Sequence, residues 1–264
     1  MLLADQNASS SVDSIAAVRG RICAEDRLIL ALDVPNDPNN PERLIEAEDA
    51  QQLVADLEGL VHFVKIGWPL YMAGGHPLIR DFLRKGKRVF LDLKFGDIAE
   101  TVKRLIRVAV DEGVSFITVN TSFDAVRAAV QARGHSDVKI LTVTMLTSWD
   151  ETDLQEMGYS VSTADFVNYK TKRAIEAGCD GVIASGREAA AVRRLSPDGF
   201  LVVTPGIRAT GAANNDHKRA ATPTQAILAG SDYLVVGRPI AAAHNPRQAA
   251  VAILEEMQSA FDAR

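Results

Sequence analysis

Cysteine is scarce. The 264-residue chain holds two, Cys23 and Cys179, too few for a disulfide scaffold and in keeping with a reducing compartment. Neither lies in a CxxC, and the five histidines (His62, His76, His135, His217 and His244) lack metal-ligand spacing, so no structural zinc site is expected. Long apolar runs are missing too: none reaches the roughly 18–20 residues that a membrane span requires. The opening stretch, MLLADQNASSSVDSIAAVRGR, shows no charged region followed by a sustained apolar core, so no secretory signal is read and a cytoplasmic location is expected. A basic excess is absent as well. Lys plus Arg number 29 against 34 Asp plus Glu, a net charge of −5, which argues against a general nucleic-acid binder.

What the chain does have is an alternation from end to end. Short apolar runs rich in Val, Ile, Leu and Phe stand at 28–33, 63–67, 88–94, 116–120, 139–146, 181–185, 201–207 and 233–240. Strands buried on both faces of a parallel sheet read this way, and the starts recur roughly every 29 residues, the length of a βα unit. Helix candidates fill the intervals. The stretch 98–113 places Val102, Leu105, Ile106 and Ala109 at helical spacing and stops on Gly113, a favourable C-terminal residue. The stretches 76–86 and 168–178 also end on glycine. At 222–230 a Thr, a Pro and a Gln three residues on compose a capping box, and 245–261 completes the series.

Eight strands with eight following helices predict a single (β/α)8 TIM barrel over 27–264. A doubly wound open sheet is the runner-up. It would usually carry a Gly-rich dinucleotide turn after the first strand, where this chain has LDVPNDPNN. Residues 1–26 are expected to be an N-terminal extension, with a helix over 12–24 under the barrel and mobile first residues.

Charges interrupt the strands at one end. The first strand ends in Asp33, the second contains Lys65, and the third contains Asp92 and Lys94. Side chains two apart on a strand share a face, so Asp92 and Lys94 point together while Leu91 and Leu93 face the helices. Asp97 follows at the entry of the next helix. Taken singly, Asp33 reads as a loop residue, Lys65 as a snorkelling chain and Asp97 as a helix cap. Together they are costly, because burying unpaired ions costs on the order of several kcal/mol each. In barrels of this kind the C-terminal strand ends face the active site.

The opposite side of the mouth carries TPGIR (204–208) and VVGRPI (235–240). Loops after strands seven and eight are the usual phosphate cup of the fold. Gly206 and Gly237 expose backbone N–H groups there, and Arg208 and Arg238 can grip phosphate oxygens. The run 208–222, mostly small and polar, is long for a βα loop and is expected to act as a lid.

These residues carry a resemblance. DLKFGDIAET (92–101) has the spacing D-x-K-x-x-D, and LALD (30–33), KIG (65–67), LTS (146–148), TPGIR and GRPI stand around it in barrel order. The chain resembles the orotidine 5′-monophosphate decarboxylase family from about residue 28 to 245. The resemblance implies a carboxy-lyase that converts orotidine 5′-monophosphate to UMP and CO2 in pyrimidine biosynthesis, without cofactor or metal. Lys65, Asp92, Lys94 and Asp97 would be its charge array, with Lys94 the proton donor. Asp33 would contact the ribose, Thr147 the pyrimidine edge or its surroundings, and Arg208, Gly237 and Arg238 the phosphate. Asp97, Ile98 and Thr101 belong to the same motif, and Asp97 and Thr101 would reach the neighbouring subunit's site in a homodimer.

The chain departs from that pattern. The family more often has His, Pro and Asn at Gly96, Ala99 and Glu100. It usually shows a His and a Gly-Gly pair where this chain reads VNTSFD (119–124), and a Gln where His217 stands in the lid. Two rivals remain: a Mg²⁺-dependent sugar-phosphate decarboxylase or synthase of the same barrel group, and a non-catalytic phosphometabolite-binding barrel.

Overall fold

A computed structural model of the chain describes residues 22–33, 46–208 and 219–264. Most of the helix expected over 12–24, and His217 in the expected lid, lie outside the described residues. Eight parallel strands close into a barrel in sequence order: β1 (Leu28–Ala31), β2 (Phe63–Gly67), β3 (Arg88–Phe95), β4 (Phe116–Val119), β5 (Lys139–Val143), β6 (Gly181–Ile183), β7 (Leu201–Thr204) and β8 (Tyr233–Val236). Seven strands fall inside the apolar runs named from the sequence, and β3 runs one residue past its own, to Phe95. β8 pairs with β1 at Ile29↔Val235 and closes the ring, so the open-sheet alternative is excluded.

Helices follow the strands: α1 (Ala47–Asp56), α2 (His76–Arg84), α3 (Ala99–Glu112), α4 (Phe123–Arg133), α5 (Thr163–Glu176), α6 (Ala189–Leu195), α7 (Pro223–Leu228) and α8 (Pro246–Ala263). Their ends obey local chemistry. α3 stops where Gly113 takes φ 82°, a left-handed turn that glycine adopts without a Cβ clash. α7 starts on the expected capping box, Thr222 receiving the Gln225 amide and Gln225 reaching back to the Thr222 amide. No described helix is long and apolar enough to cross a membrane.

Strand alternation divides the core in two. Leu28, Leu30, Val64, Ile66, Val89, Leu91 and Leu93 point outward and pack under the helices. Ile29, Phe63, Phe90, Phe116, Leu141, Val203 and Tyr233 point inward and fill the barrel. Its lower interior is an aromatic layer, with Phe63 and Tyr233 edge-on to Phe116 at centroid distances of 4.9 and 5.1 Å. One inward step further along the chain, the character changes. Phe63 is followed on its own face by Lys65, and Phe90 by Asp92 and then Lys94, with Lys65 paired to Phe90 and Gly67 to Asp92 in register. The site therefore sits on an apolar floor at the C-terminal end.

Candidate active site

Asp33, Lys65, Asp92 and Lys94 form one connected array. The Lys65 ammonium donates to Asp33 Oδ2 and lies 3.4 Å from Asp92 Oδ2. Lys94 Nζ donates to Asp92 Oδ1 at 3.0 Å. Asp33 also accepts the Gly67 amide at 2.7 Å. That contact needs glycine at 67, because a Cβ there would lie 2.7 Å from the Asp33 carboxylate. Acids and ammoniums alternate along the array, two of each, so the set is neutral as a whole.

Burial alone would neutralise these groups, and pairing reverses it. For Lys65, only 9% exposed, desolvation is the largest effect and pushes the pKa down. The fields of Asp92 and Asp33 with their hydrogen bonds outweigh it, and the net displacement is upward. For Asp92 desolvation pushes upward, while Lys65, Lys94 and the Thr118 hydroxyl together hold the carboxyl below its ordinary value. Both groups are thus kept charged at neutral pH.

Asp92 and Lys94 form one wall of a cavity of about 220 Å³, whose other walls include Phe90, Met145, Thr147, Ile183, Pro205 and Val235. Thr147 lines that cavity from the segment after β5. Pro205 and Val235 bring β7 and β8 to the same cavity. Just beyond them stand Arg208, half-buried, and Gly237 with Arg238, which open the short helix Arg238–Ala241. Gly206 turns the chain at φ 76°, and the Arg208 amide is tied to the Ala221 carbonyl at 3.0 Å. That tie brings residues 208 and 221 together.

Asp97, Ile98 and Thr101 stand apart from the array. Asp97 is exposed, and its Oδ1 accepts the Ile98 amide at 2.6 Å. It makes no ion pair among the described residues. Ile98, not Asp97, is the residue that caps α3, and it is 71% exposed. Thr101 lies in the first turn of α3. Among the described residues no group of three or more His, Cys, Asp or Glu side chains comes together as a metal site.

Two polar residues escaped the sequence reading. Thr118 on β4 is fully buried and donates to Asp92 Oδ1 at 2.8 Å. A threonine in a strand is ordinary, and nothing in the sequence marks it. Arg219 is also buried. It pairs with Glu188 and donates to the Leu146 carbonyl beside Thr147, so it supports the backbone from which Thr147 projects.

A closed βα barrel whose mouth joins a buried charge array to an apolar cavity, with glycines and arginines after strands seven and eight, has the architecture of a (β/α)8-barrel enzyme. Residues 26–253 match the model of the orotidine 5′-phosphate decarboxylase / HUMPS family, and the chain belongs to that family. It is 47% identical over 238 residues to the orotidine 5′-phosphate decarboxylase of Nitrobacter winogradskyi, covering 90% of this chain and 95% of that one. It is 46% identical to that of Rhodopseudomonas palustris, covering 90% and 97%. Among solved structures, orotidine 5′-phosphate decarboxylase from Lactobacillus acidophilus superposes with a TM-score of 0.73 at 32% identity, over 88% of this chain and 98% of that chain.

Proposed function

We propose that the protein is an orotidine 5′-phosphate decarboxylase, a carboxy-lyase that converts orotidine 5′-monophosphate to UMP and CO2 in cytoplasmic pyrimidine biosynthesis, with 27–264 as its catalytic domain. The observation that carries the reading is the Lys94 ammonium, 3.0 Å from Asp92, on the wall of an otherwise mainly apolar cavity. Losing CO2 from C6 of an orotate ring leaves an electron pair in the ring plane, with no adjacent carbonyl to delocalise it. A fixed cation is what that charge needs. As the C6–carboxylate bond breaks, its electrons remain on C6, CO2 departs, and Lys94 Nζ delivers a proton to C6. Solvent then reprotonates the amine. No cofactor or metal takes part.

The other roles are carried over from the family motif. Asp92 stands next to the substrate carboxylate and fixes Lys94, while Lys65 balances both acids and orients Asp33 toward the ribose. Thr147 faces the pyrimidine. Arg208, Gly237, Arg238 and His217 hold the phosphate, away from the reacting carbon, so that its binding energy aligns the ring. Asp97 and Thr101 act in a partner's site in a homodimer, and Ile98, between them on the same turn, contacts substrate. The exposure of Ile98 and the lack of a cation for Asp97 within the described residues support that placement. Neither nucleic acid nor membrane is a partner.

Loss of the substrate's ultraviolet absorbance on mixing with EDTA-treated enzyme tests the reading. We expect undiminished turnover. Full loss in EDTA, restored by Mg²⁺, would assign the chain to the sugar-phosphate branch, and no turnover with or without metal would leave a binding barrel.

A further inference from the structure

The common aim of Asp92 and Lys94 depends on a break in the barrel's hydrogen-bond ladder. β3 and β4 are in register at Leu91↔Ile117 and again at Phe95↔Val119, so four residue steps on β3 lie against two on β4. A bulge of this kind leaves amides of the longer strand without ladder partners and re-aims a side chain. Lys94 sits inside it at φ 48°, the one non-glycine residue at positive φ among the described residues. A lysine rarely adopts that conformation, and surrounding structure must hold it there.

One hydroxyl does the holding. Thr118 Oγ1 accepts the Lys94 amide at 2.9 Å, replacing the ladder partner that the bulge removed. The same hydroxyl donates its proton to Asp92 Oδ1 at 2.8 Å, the oxygen that also receives Lys94 Nζ at 3.0 Å. Thr118 is on the inward face of β4, one inward step beyond Phe116, and is inaccessible to solvent. It therefore meets the same lysine twice, at the backbone directly and at the ammonium through Asp92. A valine would fill the space equally well and do neither.

We propose that Thr118 is the positioning residue of the site: its hydroxyl holds the Lys94 backbone in the left-handed turn and fixes the plane of the Asp92 carboxylate, so that the ammonium enters the cavity in one orientation. The catalytic consequence rests on the decarboxylase reading; the holding itself rests on the geometry alone. A neutral donor suits this place. A third cation on Asp92 would upset the balance of two acids and two ammoniums, and an apolar residue would leave the Lys94 amide unpaired in a buried position.

The test uses Thr118→Val, which keeps shape, and Thr118→Ser, which keeps the hydroxyl. With orotidine 5′-monophosphate, Thr118→Val should lower kcat by about ten- to a hundredfold, with KM changed by less than about threefold, as expected for a misaligned reacting group. Thr118→Ser should recover to within about fivefold of the parent on the same scale. Carbon-13 titration of the Asp92 carboxyl gives a second readout, independent of turnover. Its pKa should rise in Thr118→Val, where a hydrogen bond to the charged form is lost, and return in Thr118→Ser. Turnover of Thr118→Val within about twofold of the parent, or equal losses in Val and Ser, overturns the proposal. Should the valine variant fail to fold, Thr118→Ala takes its place in both arms. If the parent itself does not decarboxylate the nucleotide, the reaction reading fails, and the Asp92 titration still decides what Thr118 holds.

Discussion

At the N-terminal end of the barrel, Asp180 accepts the Ile140 amide at 2.8 Å and Arg133 at 2.6 Å, and Asp232 accepts the Val202 amide at 2.8 Å together with Arg193. At the C-terminal end, Asp33 and Asp92 hold Lys65 and Lys94 beside a cavity. Both ends bury paired acids, but the pairs are built for different work. The lower acids each clamp a strand amide together with one guanidinium nitrogen of an arginine, and Arg193 spends its remaining donors on the Gly230 and Phe200 carbonyls. Two further arginines lie over rings, Arg27 at 4.7 Å from Tyr233 and Arg88 at 4.3 Å from Phe63. The upper acids hold flexible ammoniums, one of them 37% exposed toward the cavity. The lower end pins strands; the upper end presents an ammonium to a cavity.

The largest effect that would sharpen this contrast is at Lys94. On the proposed mechanism Lys94→Ala removes the proton donor and the counter-charge together, and we expect turnover to fall by about 10⁴-fold or more with the fold retained by circular dichroism. Near-parental turnover would end the role assigned to Lys94. The same variant tests the shared site. Mixed with Asp97→Ala under subunit exchange, it should recover activity, because each mixed dimer rebuilds one site from an intact Lys94 and the partner's intact Asp97. Random exchange sets a ceiling of roughly a quarter of parental activity. No recovery, with exchange shown independently, would return Asp97 to its own subunit.

The barrel was legible because strands buried on both faces leave runs that little else produces, and because a charge inside such a run is conspicuous. Asp33, Lys65, Asp92 and Lys94 were found that way, and alternation alone put Leu91 and Leu93 outward. What alternation could not show is the bulge between Leu91 and Phe95. No glycine marks it, since Lys94 itself takes the positive φ. Thr118 and Arg219 were hidden for a related reason: a threonine in a strand and an arginine after a polar loop have ordinary uses, and only the tertiary contacts reveal others. The departures at Gly96 and in the strand-four run turn out to be neighbours. A Cβ on Gly96 would lie 3.3 Å from the Asn120 carbonyl, and Thr121 donates to the Asp97 carbonyl at 3.2 Å. Two differences that look separate in the sequence meet at one loop contact beside Asp97.

A smaller effect should appear at the lower end and nowhere else. Asp232→Ala strips the Val202 amide and Arg193 of a shared acceptor. Asp232 is partly exposed, so we expect a loss of about 2 kcal/mol, below the roughly 3–5 kcal/mol of a fully buried pair. Urea unfolding measures it. Turnover per folded molecule should stay at the parental value. A fall in kcat with unchanged stability would erase the division of labour between the two ends.

Within the mouth, Arg238 tests the proposed separation of phosphate binding from chemistry. Arg238→Ala should lower kcat/KM for the nucleotide by about ten- to a hundredfold, while a nucleoside without the phosphate should lose almost nothing, because the contact it would lose was never made. Equal losses on both substrates would mean that Arg238 is part of the scaffold.

The smallest effect is on stability against pH, and its sign follows from the two displaced groups. The Asp92 carboxyl is lowered from 3.8, so its contribution is complete above that value and is lost as pH falls through the folded-state pKa. The Lys65 ammonium is raised from 10.5, so its contribution is complete below that value and is lost as pH rises through the folded-state pKa. Between the two limits the array should add a constant amount. Calorimetric Tm values compared for the parent and Asp92→Asn, which cannot titrate at that position, isolate the acid limb. The parent should lose more Tm than the variant between roughly pH 5 and pH 2, with the gap between them constant around neutrality. On the alkaline side both should decline, because Lys65 keeps Asp33 as a partner in the variant. Parallel acid limbs would show that Asp92 gains nothing from its ammoniums, and the contrast between the two ends of the barrel would then rest on position alone.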